Sequence, residues 1–297
     1  MDSFVAGDLL QDATGTAARA FRMRRAGDVP PQKDRRRHSA RENTDVLPDM
    51  NAPVPNFQTP ATRQPIFNLP PVVSALIALM LAVHAGRAFL LGSEANLQVI
   101  LLFAFIPVRE TQPELFAELV SLNDGARLWT FVTYAFLHGS WGHVLMNAVW
   151  LAAFGSPLAW RLGLVRFLLF SAVGAAAGAL VHLAIYPSSS VSMVGASAAV
   201  SALMAGAARF VFQSSGPFGA LSGFSRYHQP AAPLALLLRD QRVLVFLGVW
   251  FGLNLIFGLT GGAGLAEGAV AWDAHLGGFL AGLLLFRLFD PVPGPRI

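Results

Sequence analysis

The chain contains no cysteine, which excludes disulfides, thiol nucleophiles and Cys-based metal sites and leaves its redox compartment open. Charge is scarce too. Only 13% of the 297 residues are Asp, Glu, Lys or Arg, against roughly 25% in soluble domains, which excludes an ordinary water-soluble enzyme. No His-Glu dipeptide occurs, so a zinc site of the H-E-x-x-H kind is absent. The apolar segments hold a single carboxylate, Asp273 at a boundary, too few for paired-aspartate chemistry or for the buried charge pair of an ion path. Residues 1–69 lack an apolar h-region, so no signal peptide is expected there.

What is present is hydrocarbon. Hydrophobic residues make up 54%, and the mean hydropathy is +0.53. The net charge of +4 and pI near 10.3 invite a nucleic-acid reading, but ten of the 21 basic residues fall within positions 1–69. With Arg35-Arg36-Arg37, Pro30 and Pro31 and little apolar periodicity, 1–69 reads as a disordered basic cytoplasmic tail, with no nucleic-acid partner. A membrane domain over 70–290 and a short cytoplasmic tail over 291–297 follow.

Length and flanks predict six apolar spans, at 70–91, 128–154, 166–186, 195–212, 243–260 and 272–289. The run 97–108 is too short to cross and ends at Pro107, so a re-entrant or interfacial loop is expected. With the N-terminus inside, 18 of 21 basic residues are cytoplasmic, among them Arg161, Arg166, Arg209, Arg226, Arg239, Arg242, Arg287 and Arg296. The outer side keeps Arg87, Arg109 and Arg127 among Glu94, Glu110, Glu114, Glu118 and Asp124. Both termini are therefore expected in the cytoplasm. Small-residue pairs at Gly174/Gly178, Gly248/Gly252 and Gly278/Gly282 suit close helix approach within lipid.

Polar groups inside a span are costly and usually have a task. His143 and Asn147 share one face of the second span, Ser197 opens the fourth and His275 the sixth. His84 and His182 have no obvious ligand partners and read as core or interfacial histidines. The fourth span starts fourteen residues before Arg209, about 21 Å of helix in a hydrocarbon layer about 30 Å thick. Its start is thus expected roughly 10 Å below the outer surface. Ser197 and His275 each lie twelve positions before a basic anchor, and His143 twelve before Gly155, which puts all of them at one recessed level.

That set suits nucleophilic acyl transfer. Serine needs a base to accept its proton, and neutral imidazole is suited to it. The Ser197 amide at a helix N-terminus, His143 and Asn147 can donate to the developing oxyanion. Asp273 points about 200° away from His275 around the helix, so a Ser–His dyad without a carboxylate is expected.

The arrangement resembles the rhomboid family of intramembrane serine proteases, in its bacterial six-helix form. His138-Gly139-Ser140-Trp141-Gly142-His143 continuing to Asn147 is similar to H-x-x-x-x-H-x-x-x-N. Gly195-Ala196-Ser197-Ala198 is similar to G-x-S-G, and Ala274-His275 with Gly278 and Gly282 to A-H-x-x-G-x-x-x-G. Over 69–290 the resemblance implies an all-α bundle of six transmembrane helices. It implies Ser197 as nucleophile, His275 as base, oxyanion contacts from His143, Asn147 and the Ser197 amide, and Gly195, Gly278 and Gly282 as packing support. It implies hydrolysis of transmembrane protein substrates near the outer leaflet of a bacterial inner membrane, without cofactor or metal. Two departures stand out: Ala198 replaces the glycine after the serine, and Ser201 stands where some members carry an aromatic. His138 is expected to hold its loop rather than react. The competing reading is a non-catalytic scaffold or chaperone of the same fold, although such relatives typically lose the serine or the histidine.

Overall fold

The computed structural model describes residues 69–114, 125–212, 227–260 and 271–293. The tail read over 1–69, apart from Leu69, lies outside the described residues, as do Glu118, Asp124, Arg226 and Arg296. Among the described residues the architecture is all-helical. Helices α1 (Pro71–Phe89), α2 (Ser93–Phe103), α3 (Pro107–Thr111) and α4 (Ala126–Thr133) are followed by α5 (Trp141–Trp150) and α6 (Ser156–Ile185). Then come α7 (Ser197–Val211), α8 (Leu234–Leu237), α9 (Gln241–Thr260) and α10 (Trp272–Phe289). Two helical stretches, Pro71–Phe89 and the 45-residue Trp141–Ile185, are long and apolar enough to cross a membrane by length and composition.

The span predicted over 128–154 is not one helix. Helix α4 ends in a 3-10 turn, Tyr134–Phe136, and α5 begins afresh at Trp141. Ser140 causes the restart, because its hydroxyl accepts from the His143 amide at 3.2 Å and caps the new helix. Helix α5 then runs through a π-helical turn, Leu151–Gly155, into α6. Inside α6 Gly163 adopts φ 73° and ψ 173°, a left-handed geometry that suits glycine. The chain folds back there. A Cβ on Gly155 would lie 3.6 Å from the Phe167 ring, whereas twelve residues of straight helix would separate them by about 18 Å.

The core is a sandwich of α6, α7 and α10 joined at small residues. A Cβ on Gly174 would meet the Ala202 Cβ at 2.4 Å, one on Gly178 the Ala198 Cβ at 2.5 Å, and one on Gly277 the Ala177 carbonyl at 2.7 Å. By contrast, nothing lies within 4 Å of a Cβ on Gly248 or Gly252. The packing role expected of that pair is thus overturned, because this side of α9 faces open space. Outward faces are apolar, as at Val249, 59% exposed, and Leu288, 79% exposed.

Two arginines counted on the cytoplasmic side, Arg161 and the expected headgroup anchor Arg209, are buried in the bundle. Arg161 forms a fork on Asp290, with Nε to Oδ1 at 2.9 Å and Nη2 to Oδ2 at 2.8 Å. Its Nη1 donates to the Tyr227 and Gln229 carbonyls, and its guanidinium lies 4.5 Å from the Phe210 ring centroid. Arg209 donates to the Ala232 and Leu283 carbonyls. Arg161→Ala is expected to cost about 3–5 kcal/mol, because it strands the Asp290 carboxylate. Arg161→Lys should recover only part of this, since an ammonium cannot reproduce the fork. Denaturant unfolding in detergent measures both, and an Arg161→Ala midpoint equal to wild type would remove the fork from the stability of the bundle.

Candidate active site

The approach to Ser197 is built before the helix starts. Phe105 and Met193 exchange backbone hydrogen bonds, N to O at 3.1 Å and 2.8 Å, so the segment after α2 clasps the strand-like stretch leading to the serine. The Val108 amide donates to the Ser189 carbonyl at 3.0 Å, and Trp129 Nε1 donates to the Leu102 carbonyl at 2.8 Å. The short run 97–108 is therefore helix as far as Phe103 and again from Pro107, where α3 starts, and the residues between them form this clasp. Arg87 fixes the other border, donating from Nη1 to the His138 carbonyl at 3.0 Å and from Nε to Asn96 Oδ1 at 2.9 Å.

Gly195 then turns the chain into α7. Its φ is 117°, a region that L side chains rarely adopt, and its amide donates to the Tyr134 carbonyl at 3.0 Å. A Cβ there would lie 2.6 Å from both Cε1 and Nε2 of His143 and 3.8 Å from Asn147 Nδ2. Gly195 thus makes room for the His143 ring and not for a helix backbone, which sets it apart from Gly278 and Gly282. Asn147 is 5% exposed and donates one of its two amide hydrogens to the His143 carbonyl at 3.1 Å. The second hydrogen remains for another acceptor. His138 is fully buried, with its ring 5.0 Å from that of His143.

Helix α7 begins at Ser197 with no side-chain cap, so no side-chain acceptor within the chain occupies its first amides, next to the Gly195 turn that the His143 ring lies against. Helix α10 lies directly on α7. A Cβ on Gly278 would stand 2.1 Å from the Ala198 carbonyl oxygen, and one on Gly282 2.3 Å from that of Ala202. Position 198 therefore faces 278 and 202 faces 282, so the helices run parallel. Ser197 and His275 lie within about one turn of each other at the same end, and both are half-buried. The methyl group that Ala198 adds to the motif faces Gly178 on α6. Ser201 donates to the Ser197 carbonyl at 2.7 Å.

Asp273 is turned away from His275 and meets His182 Nδ1 at 2.6 Å. His182 therefore has a partner that its sequence position does not suggest. His84 packs edge-on against Trp141, with centroids 4.6 Å apart. The sequence reading also passes over Asn254 on α9, whose Oδ1 hydrogen-bonds His275 Nδ1. The signal was available, since Asn254 is a polar residue in an apolar span, the criterion that singles out Asn147.

The family model described as Rhomboid domain matches residues 125–290. A search of curated proteins found no match.

Proposed function

The chain belongs to the rhomboid family, which makes it an integral membrane protein of an intramembrane-protease family, and from that premise we propose that it is an intramembrane serine endopeptidase. We read six crossings, by Pro71–Phe89, residues 141–162 and 164–185, Ser197–Val211, Gln241–Thr260 and Trp272–Phe289, with both termini cytoplasmic in a bacterial inner membrane. Its substrates are transmembrane segments of other proteins, and the chemistry calls for no metal or cofactor.

In this mechanism His275 Nε2 takes the proton from Ser197 Oγ as Oγ bonds the scissile carbonyl carbon. The negative charge that moves onto the carbonyl oxygen is met by the Ser197 amide, the His143 ring and the second Asn147 amide hydrogen. Collapse of the adduct breaks the C–N bond, and the proton on His275 goes to the leaving amine. A water molecule then gives one proton to His275 as its hydroxide bonds the acyl carbon, and collapse of that adduct breaks the ester C–O bond while the His275 proton returns to Ser197 Oγ.

The observation that supports the reading is the fit of Gly278 on the Ala198 backbone, which brings together the N-terminal ends of the parallel helices that carry His275 and Ser197. The direct test is labelling by a serine-reactive fluorophosphonate. Wild type should label and Ser197→Ala should not, whereas equal labelling would overturn the proposal.

Asn147 gives a graded test. Losing one oxyanion donor should lower kcat roughly a hundredfold or more with KM little changed, because the bond strengthens only as charge develops. Asn147→Ala that instead melts earlier but turns over normally would assign the residue to helix packing alone.

A further inference from the structure

A histidine base works only if its reacting nitrogen is unprotonated and its ring is held in place. The carboxylate nearest in sequence, Asp273, is engaged by His182 at 2.6 Å. The group that meets the second ring nitrogen of His275 comes from α9: Asn254 Oδ1 faces His275 Nδ1, while Asn254 Nδ2 donates to the Trp250 carbonyl at 2.8 Å. The second bond decides the direction of the first. A carbonyl oxygen only accepts, so the NH2 end of the amide must be the end at Trp250. The amide oxygen then faces the imidazole, and it too can only accept. His275 Nδ1 must therefore carry a proton, and in the neutral ring Nε2 keeps the lone pair.

We infer that Asn254 is a positioning residue for His275, orienting the ring and fixing the tautomer that can take a proton from Ser197. The inference rests on the proteolytic reading above and replaces its two-residue relay with Ser197–His275–Asn254. The surroundings explain an amide in this role. Among the described residues, Asn254 supplies the one amide side chain lining a cleft of about 210 Å3 whose other walls are Trp250, Phe251, Leu255, Trp272 and Leu276. An unpaired amide there would be costly, and a carboxylate costlier still. Both polar ends of Asn254 are bonded, one along its own helix and one across to α10.

The test uses the full chain in detergent with a transmembrane substrate, and 15N-labelled histidine as a readout independent of turnover. Asn254→Ala should lower kcat on the order of a hundredfold with KM little changed. Asn254→Asp keeps the acceptor for His275 but loses the donor to Trp250, and should recover kcat to within about tenfold of wild type. The 15N signals of His275, recognised by their absence in His275→Gln, should report a single Nδ1-protonated tautomer in wild type and a mixture in Asn254→Ala. An active wild type whose Asn254→Ala variant keeps both kcat and tautomer overturns the inference alone. Equal loss in the Ala and Asp variants also overturns it, because the Trp250 bond would then be the one that matters. A wild type no more active than Ser197→Ala overturns the proteolytic reading and with it the catalytic purpose of Asn254.

Discussion

Ser197→Ala and His275→Ala are each expected to remove nearly all cleavage, with kcat falling on the order of 10^4-fold or more. The double variant should be scarcely worse than either. The serine hydroxyl is a poor nucleophile until its proton has somewhere to go, and the imidazole has no catalytic task without the serine. Once one is lost, the other contributes nothing that the second substitution could remove. Independent contributions would multiply instead, and a double variant far below both single ones would show two separate routes to hydrolysis. The measurement is turnover of a transmembrane substrate in detergent, with thermal melting of each variant to confirm that folded protein is compared. Residual turnover of about ten per cent in Ser197→Ala, a loss of only about 1.4 kcal/mol at the transition state, would remove the covalent mechanism.

The helices that carry this pair were the easiest to read from sequence. The sixth apolar run coincides with α10, Trp272–Phe289, and the fourth nearly coincides with α7, Ser197–Val211. In both, an apolar stretch with a basic residue near its end is also a single straight helix. Hydropathy is blind to direction, however. The run 128–154 stays apolar across the break that Ser140 caps, and Gly163 reverses the chain between two apolar stretches. Only the capping residue and the left-handed glycine mark those events. Charge counting is blind in a related way to what a guanidinium pairs with. Arg161 and Arg209 reach carbonyls and a carboxylate inside the protein, and composition does not distinguish a paired guanidinium from a solvated one. For the site, motif spacing named the residues on α5, α7 and α10. It could not name Asn254, which lies 21 positions from His275 and becomes its neighbour only through the packing of α9 against α10.

Gly278→Val should separate loss of alignment from loss of chemistry, since it removes none of the reacting groups and changes only their spacing. The Cβ would stand 2.1 Å from the Ala198 oxygen, 2.7 Å from its carbonyl carbon and 3.0 Å from its Cα. All three are backbone atoms of α7, so no rotamer change relieves the contact and the helices themselves must part. A shift of about 1 Å at a reacting pair can cost about a hundredfold in rate. Overpacking of a fitted interface typically costs about 1–3 kcal/mol, and the close contact that joins these helices would be lost as well. Turnover and melting temperature should therefore fall together, and Gly278→Ala should move both in the same direction by less. Gly248→Ala is the internal control, because nothing lies within 4 Å of the added methyl group. It should leave turnover unchanged and raise stability slightly, since glycine inside a helix costs about 0.5–1 kcal/mol relative to alanine. Normal cleavage by Gly278→Val would mean that α10 can stand off from α7 without moving His275 from Ser197. The close contact at Ala198 would then serve the packing of the bundle and not the alignment of the pair.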